Sequence, residues 1–311
     1  MIRISVLYLN IILGFIAGKF AKVDNDNMLR FLFFVLSPIV IVKGISSITN
    51  FDALILPVIV FTMSCMTCYC INKAKPLFSD KSLNNIISFG TASSNTGHFG
   101  LPIALFLLDE HAVSIYILAF SGMTLFENTY GFYVISHGNF PVKYFFKRLL
   151  QLPTLYALVL GIIMSGFGIH FSSIYDDFFQ HIRSSYIIIG MSSIGFGIAR
   201  LKSIDFDFAY IMVIMLVKHF IWPLIMLILV YIDIHYFHIF VCDPDAYFVM
   251  LLLSVLPVSA TTMIMGGLFK YPESKISIII LFNNLMAMVY IPTTIVYVFY
   301  PFIKKFIIVI D

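Results

Sequence analysis

Ser88-Phe89-Gly90-Thr91-Ala92-Ser93-Ser94-Asn95-Thr96-Gly97-His98-Phe99-Gly100-Leu101-Pro102 places a polar, glycine-rich, proline-ended segment in the middle of an apolar span. Proline removes a backbone donor and clashes with the turn before it, and Gly97 and Gly100 each weaken a helix by about 1 kcal/mol. A second interruption lies at Leu256-Pro257-Val258-Ser259-Ala260-Thr261-Thr262, followed by Gly266 and Gly267. In hydrocarbon an unpaired N–H or C=O costs several kcal/mol, so non-helical backbone persists only where protein or a water-filled cavity satisfies it. Two such breaks predict a shared polar site. Half-helices that begin at mid-membrane aim partial positive charge there, which suits an anion such as a carboxylate, with freed amides to grip it and Asn or Ser side chains to orient it. The competing reading is a pair of simple proline kinks satisfied by Ser and Thr back-bonding, of the kind Pro38, Pro153, Pro223 and Pro292 suggest.

Working outward, 60% of the 311 residues are apolar, and the 19 Lys or Arg and 16 Asp or Glu amount to about half the charged share of a soluble domain. With 33 Phe, 17 Tyr and a mean hydropathy of +0.99, the chain holds more apolar surface than one core of this size hides, so lipid covers the rest. A water-soluble protein and a receptor with a large external domain are excluded. Apolar runs predict ten crossings, at residues 4–20, 28–48, 52–71, 83–108 and 112–136, then 152–169, 186–201, 208–231, 246–269 and 276–300. The seventh is expected to start earlier, within the amphipathic stretch 171–183.

With loops counted alternately, one side receives Lys19, Lys22, Arg30, Lys73, Lys75, Lys81, Lys143, Lys147, Arg148, Arg200, Lys202, Lys270 and Lys275. This bias marks that side as cytoplasmic and puts both termini outside, in the plasma membrane or the inner membrane of a cell with two. Five crossings (1–136), a short cytoplasmic linker (137–151) and five more (152–311) make the second unit enter upside down, an inverted repeat if the halves are homologous. Gly14 and Gly18 of the first helix and Gly161 and Gly166 of the sixth are candidate counterparts, although generic helix-packing glycine gives the same pattern. Basic residues are too scattered for a nucleic-acid surface.

Asn95-Thr96-Gly97-His98-Phe99-Gly100-Leu101-Pro102 resembles the Asn-x-Gly-x-x-Gly-Leu-Pro segment of the auxin efflux carrier family, and Leu256-Pro257 resembles the Leu-Pro of its ninth helix. The stretch 31–45 with Pro38, Leu152-Pro153-Thr154, the run Gly190 to Gly197, and Lys218 five residues before Pro223 are similar to its second, sixth, seventh and eighth helices. The resemblance implies an all-α polytopic fold of ten helices in two inverted repeats, with helices 4 and 9 broken and crossed, as in PIN-type carriers and sodium/proton antiporters. It also implies a scaffold domain, a transport domain and carriage of organic anions, with Asn95 contacting substrate and Pro257, Val258 and Ser259 lining the second break. Plant members have proline where this chain has Ser94 and Gln where it has Val258, and the linker is short. These departures point to a compact bacterial-type permease for a mono- or dicarboxylate.

Thr96, Gly97, Gly100, Pro102, Thr261 and Thr262 complete the expected substrate-binding set. Lys218 and His219 lie within an apolar span, where an ionisable group is by default a functional candidate. Lys218 is either a counter-charge for the anion or a cap on a broken-helix carbonyl. Glu127 either carries a coupled proton or makes an interhelical hydrogen bond; Asn128, Asn283 and Asn284 are likewise expected to face the bundle. His98 either links protonation to transport or bonds a freed carbonyl. Lys43 is given no role. Cys65-x-x-Cys68 and His235-x-x-His238 do not reach a four-ligand metal site, so no metal and no cofactor are expected. The expected partners are the organic anion, membrane lipid and H+ or Na+ as coupling ion, with a homodimer possible. An enzyme is not expected; an intramembrane enzyme on a lipid-like substrate, or a channel or sensor, are the alternatives.

Overall fold

The computed structural model describes residues 2–21, 25–48, 51–74, 83–138, 141–199, 207–241 and 243–306. The expected loop residues Lys22, Lys75, Lys81, Arg200 and Lys202 lie outside the described residues. Helices follow one another as α1 (Ile2–Phe20), α2 (Asn25–Phe31), α3 (Ser37–Ser46), α4 (Leu56–Lys73), α5 (Asn84–Ala92), α6 (Leu101–Leu107), α7 (Glu110–Asn128), α8 (Tyr130–Ile135) and α9 (Val142–Leu149). Then come α10 (Pro153–Gly166), α11 (Asp176–Ala199), α12 (Phe208–Leu216), α13 (Trp222–Ile232), α14 (Pro244–Ser254), α15 (Thr261–Leu268), α16 (Glu273–Thr294) and α17 (Tyr300–Phe306). Among the described residues there is no strand, and one isolated antiparallel bridge joins Ser94 to Val258.

Five continuous helical stretches are long and apolar enough to cross a membrane: Asp26–Ser46, Asp52–Lys73, Ser173–Ala199, Phe208–Phe237 and Glu273–Ile303. Of the other five expected crossings, the first and sixth are single shorter helices, α1 and α10, and the rest are built from pieces. The fourth is halved into α5 and α6, and the ninth into α14 and α15. The fifth is interrupted at Thr129, whose φ of −121° and ψ of −96° are not helical. The seventh starts within the amphipathic stretch, as its pattern suggested. The linker 137–151 is not simply a polar loop, because it contains α9, bent by 66° against α10.

Several of these joints are π-helical turns set by proline. In the turn Val217–Ile221, the His219 carbonyl would bond the N–H of residue 223 in a regular helix, but that residue is Pro223. Tyr290 Oη donates to the His219 carbonyl instead. Leu32–Leu36 is the corresponding turn ahead of Pro38.

Two ends of the bundle are defined by polar contacts between different elements. At one end Asn72 donates to Asn85, Asn85 meets His137 at 2.9 Å, His137 meets Tyr271 at 3.1 Å, and Lys275 pairs with Asp207 at 3.6 Å. At the other, Lys43 pairs with Glu110, Arg183 Nη2 donates to the Leu105 and Leu108 carbonyls, and His111 pairs with Asp243. There Asp233 also accepts from the Ile239 and Phe240 amides and from Tyr247 Oη, closing the turn into α14.

α1 lies along α11, and α10 along α3. The first pair is close because Gly14 sits on the backbone of Ser192, and Gly195 on that of Ile11 and Phe15. Gly161 packs on Ile45, whereas a side chain at Gly166 would meet open space, so only the former is a packing glycine. On its other side α11 covers the half-helix Thr96–Leu107, with Arg183, Tyr186 and Gly190 all on that contact.

Candidate functional site

α5 ends at Ala92 because Ser93 turns extended, with φ −93° and ψ 129°. α14 ends ahead of Pro257, which offers no N–H and pushes the residue before it out of the helical region. The two unwound stretches run antiparallel through each other: Asn95 N donates to the Pro257 carbonyl at 2.8 Å and Ser259 N to the Ser93 carbonyl at 3.3 Å. Asn283 Oδ1, from α16, accepts from Val258 N at 2.8 Å. On the outgoing side Asn95 Oδ1 caps the next turn by accepting from His98 N at 3.2 Å, Tyr116 Oη donates to the Thr96 carbonyl and Tyr186 Oη to the Gly97 carbonyl. The amides expected to be free for a ligand are therefore largely bonded to each other and to side chains. Gly97 is the exception in shape, with open space where a side chain would stand, whereas a Cβ at Gly100 would lie 2.0 Å from Tyr116 Oη.

Successive residues of extended backbone project to opposite faces, so neighbouring Ser93 and Ser94 reach different partners. Ser93 Oγ donates to Glu127 Oε1, and Thr261 Oγ1 donates to Glu127 Oε2 at 3.0 Å. Lys218 Nζ donates to Ser94 Oγ at 2.6 Å and lies 4.2 Å above the Trp222 ring. The side chains of Glu127 and Lys218, both buried, thus flank the crossing. Trp222 is held by its Nε1–H to Thr67. His219 Nε2 meets Asn283 Nδ2 at 3.2 Å, which ties the Lys218 turn to the same asparagine that satisfies Val258.

Of the residues singled out in the sequence, Asn95, Thr96, Val258, Ser259, Thr261, Glu127, Lys218 and Asn283 gather at this crossing. Thr262 is buried beside Gly90 with its hydroxyl unpartnered, and Pro102 packs against Gly190. Asn128 lies apart, accepting from Arg148 and donating to the Thr124 carbonyl. Asn284 is buried with its Oδ1 unpartnered. Lys218 reaches a hydroxyl, not the broken-helix carbonyl that one reading assigned to it.

Tyr116, Tyr186, Trp222 and the paired serines were not selected from sequence. The available signal was a buried phenol or indole in an apolar helix, which needs a polar partner. Also missed was His111 with Asp243 and Asp245, whose ligand-type atoms lie within 4.8 Å of one another at the Lys43 end. Comparison with protein-family models finds no match to this chain, and no curated protein matches it.

Asn283→Ala leaves the buried Val258 N–H without an acceptor and is expected to cost about 1–3 kcal/mol. Asn284→Ala removes an oxygen that bonds nothing and is expected to cost clearly less. Thermal unfolding of both variants in detergent checks this; equal losses would remove Asn283 as the support of the second break.

Proposed function

We propose that the chain is a secondary transporter of a small organic anion, a mono- or dicarboxylate, working by alternating access at the crossing of residues 93–97 and 256–261. The observation that carries this reading is the antiparallel meeting of two unwound segments between a buried lysine and a buried glutamate. Discontinuous helices at mid-depth are where transporters bind solutes. The resemblance to the auxin efflux carriers supports it through the same residues.

Ten crossings in two inverted five-helix units belong to the proposal. Their support is the exchange symmetry of the packing, since α1 on α11 and α10 on α3 pair the first with the seventh and the sixth with the second. Lys73, Lys143, Lys147, Arg148, Lys270 and Lys275 belong to the helices and loops of the His137 end, which we assign to the cytoplasm, with both termini outside a plasma membrane. H+ or Na+ supplies the coupling, and Glu127 is the group we assign to it.

The intramembrane-enzyme alternative gains one observation, because Ser94 Oγ lies 2.6 Å from Lys218 Nζ, a serine–lysine contact of the kind nucleophilic sites use. Both groups are buried at 1% and 0% exposure, and Ser94 is pinned within the bridge, so a polar support of the crossing fits them better. Failure of Ser94 to react with a fluorophosphonate, while uptake persists, is the expected result.

Uptake of labelled mono- and dicarboxylates into proteoliposomes tests the main reading. Asn95→Ala is expected to lower uptake about tenfold or more, the effect of losing one hydrogen bond to a charged group. Asn95→Asp keeps the cap on His98 and brings a negative charge to the site; it is also expected to lose uptake while melting close to the parent. Unchanged uptake in both variants would remove Asn95 from the site.

A further inference from the structure

A cavity of about 390 Å³ opens at the Lys43 end, between α3 and the start of α11 on one side and α6 and the start of α7 on the other. Two cations line it. Lys43 Nζ lies 3.5 Å from Glu110 Oε2 and 5.6 Å from the centre of the Phe179 ring. Arg183 spends Nη2 on the Leu105 and Leu108 carbonyls, the negative end of the half-helix whose other end is the crossing. A guanidinium carries five N–H donors in a fixed fork, so the two carbonyls leave Arg183 with donors for a further partner. Val40, Leu105 and Val113 give it an apolar wall.

We propose that this cavity binds the carboxylate of a small organic acid with an apolar body, its charge held by Lys43 and Arg183 and its body lying against Phe179. The Glu110 carboxylate occupies the position that the ligand's carboxylate would take. Its side chain is 66% exposed, against 21% for Lys43, and exposed ion pairs contribute little, so an incoming carboxylate displaces it into solvent. Asp176 also lines the cavity but is exposed on the first turn of α11 and is free to turn outward. The volume falls within the range of small-molecule pockets. As the outer approach to the crossing the cavity rests on the transporter reading; as a carboxylate site it stands without it.

Phenylacetate binding to the full-length detergent-solubilised protein, measured by calorimetry, tests this, with phenylacetamide and phenethylamine as uncharged and cationic counterparts. Saturable binding of phenylacetate alone is expected, weakened about tenfold by Lys43→Met and tightened about threefold by Glu110→Gln, the changes that losing or freeing one ion-pair partner produces. Melting curves establish that both variants fold. Equal binding in Lys43→Met and the parent, or binding of the amine in preference to the acid, overturns the proposal. Asn95→Ala separates the two sites: phenylacetate binding kept while uptake is lost supports the cavity as distinct. Binding lost in Asn95→Ala and kept in Lys43→Met assigns it to the crossing and overturns the cavity. If phenylacetate binds through Lys43 but no carboxylate is transported, the cavity stands and the transporter reading falls.

Discussion

Lys218→Met is expected to abolish the proposed uptake and to lower stability by about 1–3 kcal/mol, the cost of leaving the buried Ser94 hydroxyl without its partner and Glu127 without the positive group across the crossing. The side chain is fully buried, bonds Ser94 Oγ at 2.6 Å and packs on Trp222, so methionine fills the volume but supplies no charge. What it strands is Glu127, buried and bonded to Ser93 and Thr261, whose carboxylate then has no opposite charge across the crossing. The double variant Lys218→Met with Glu127→Gln removes both titratable groups, and its loss is expected to be about 1 kcal/mol smaller than that of the single variant. Stability is thus expected to return in part in the double variant while uptake does not, because under the proposed function the missing lysine would also balance a bound anion. Chemical denaturation in micelles and uptake in liposomes read the two effects separately. Equal stability of parent and single variant would show that the two charges do not support one another. Uptake restored in the double variant would show that the lysine only neutralises the glutamate.

The breaks themselves were legible in the sequence because they are written in local chemistry: Pro257 has no N–H, and the run from Ser93 to Gly100 holds few helix-favouring side chains. Their mutual register was not legible. Asn95 meets Pro257 across more than half of the chain, and nothing local in either segment states which residue of the other will face it. The same applies to Lys218, whose burial could be expected from its apolar surroundings, whereas its hydroxyl partner lies 124 positions away. Hydropathy runs in turn overstated continuity, since α5, α6, α14 and α15 are each too short to span a bilayer and join only through the crossing. α9 was hidden for the opposite reason: Lys143, Lys147 and Arg148 mark a basic loop by composition, while Tyr144 and Phe145 pack onto Phe132. The glycines of the first helix were read as possible repeat markers. Gly14 and Gly18 record how closely α1 approaches α11, a property of packing that a pattern of small residues indicates but does not assign to a partner.

That approach gives the second large effect, in which two glycines two residues apart on α11 respond in opposite directions. At Gly195 a Cβ would lie 2.0 Å from the Ile11 carbonyl oxygen and 2.5 Å from Phe15 N, both backbone atoms that no rotamer change can move. Gly14 faces Ser192 O at 2.1 Å in the same seam, and Ser192 Oγ donates to the Asn10 carbonyl, so separating the helices also breaks a hydrogen bond. Helices in lipid have no hydrophobic force holding them together and depend on such close packing. Gly195→Ala is therefore expected to cost about 3 kcal/mol or more, at or above the upper end of overpacking effects. Because α11 presents Arg183, Tyr186 and Gly190 to the half-helix of the crossing, the shift also moves the Tyr186 support of Gly97, and uptake falls with stability. At Gly197 a Cβ meets nothing within 4 Å, and the site is exposed within the same helix. Gly197→Ala then gains about 0.5–1 kcal/mol from reduced backbone entropy in the unfolded chain. Denaturation midpoints and the yield of monodisperse protein compare the two variants directly, and similar behaviour at both positions would mean that α1 does not rest on α11 through this seam.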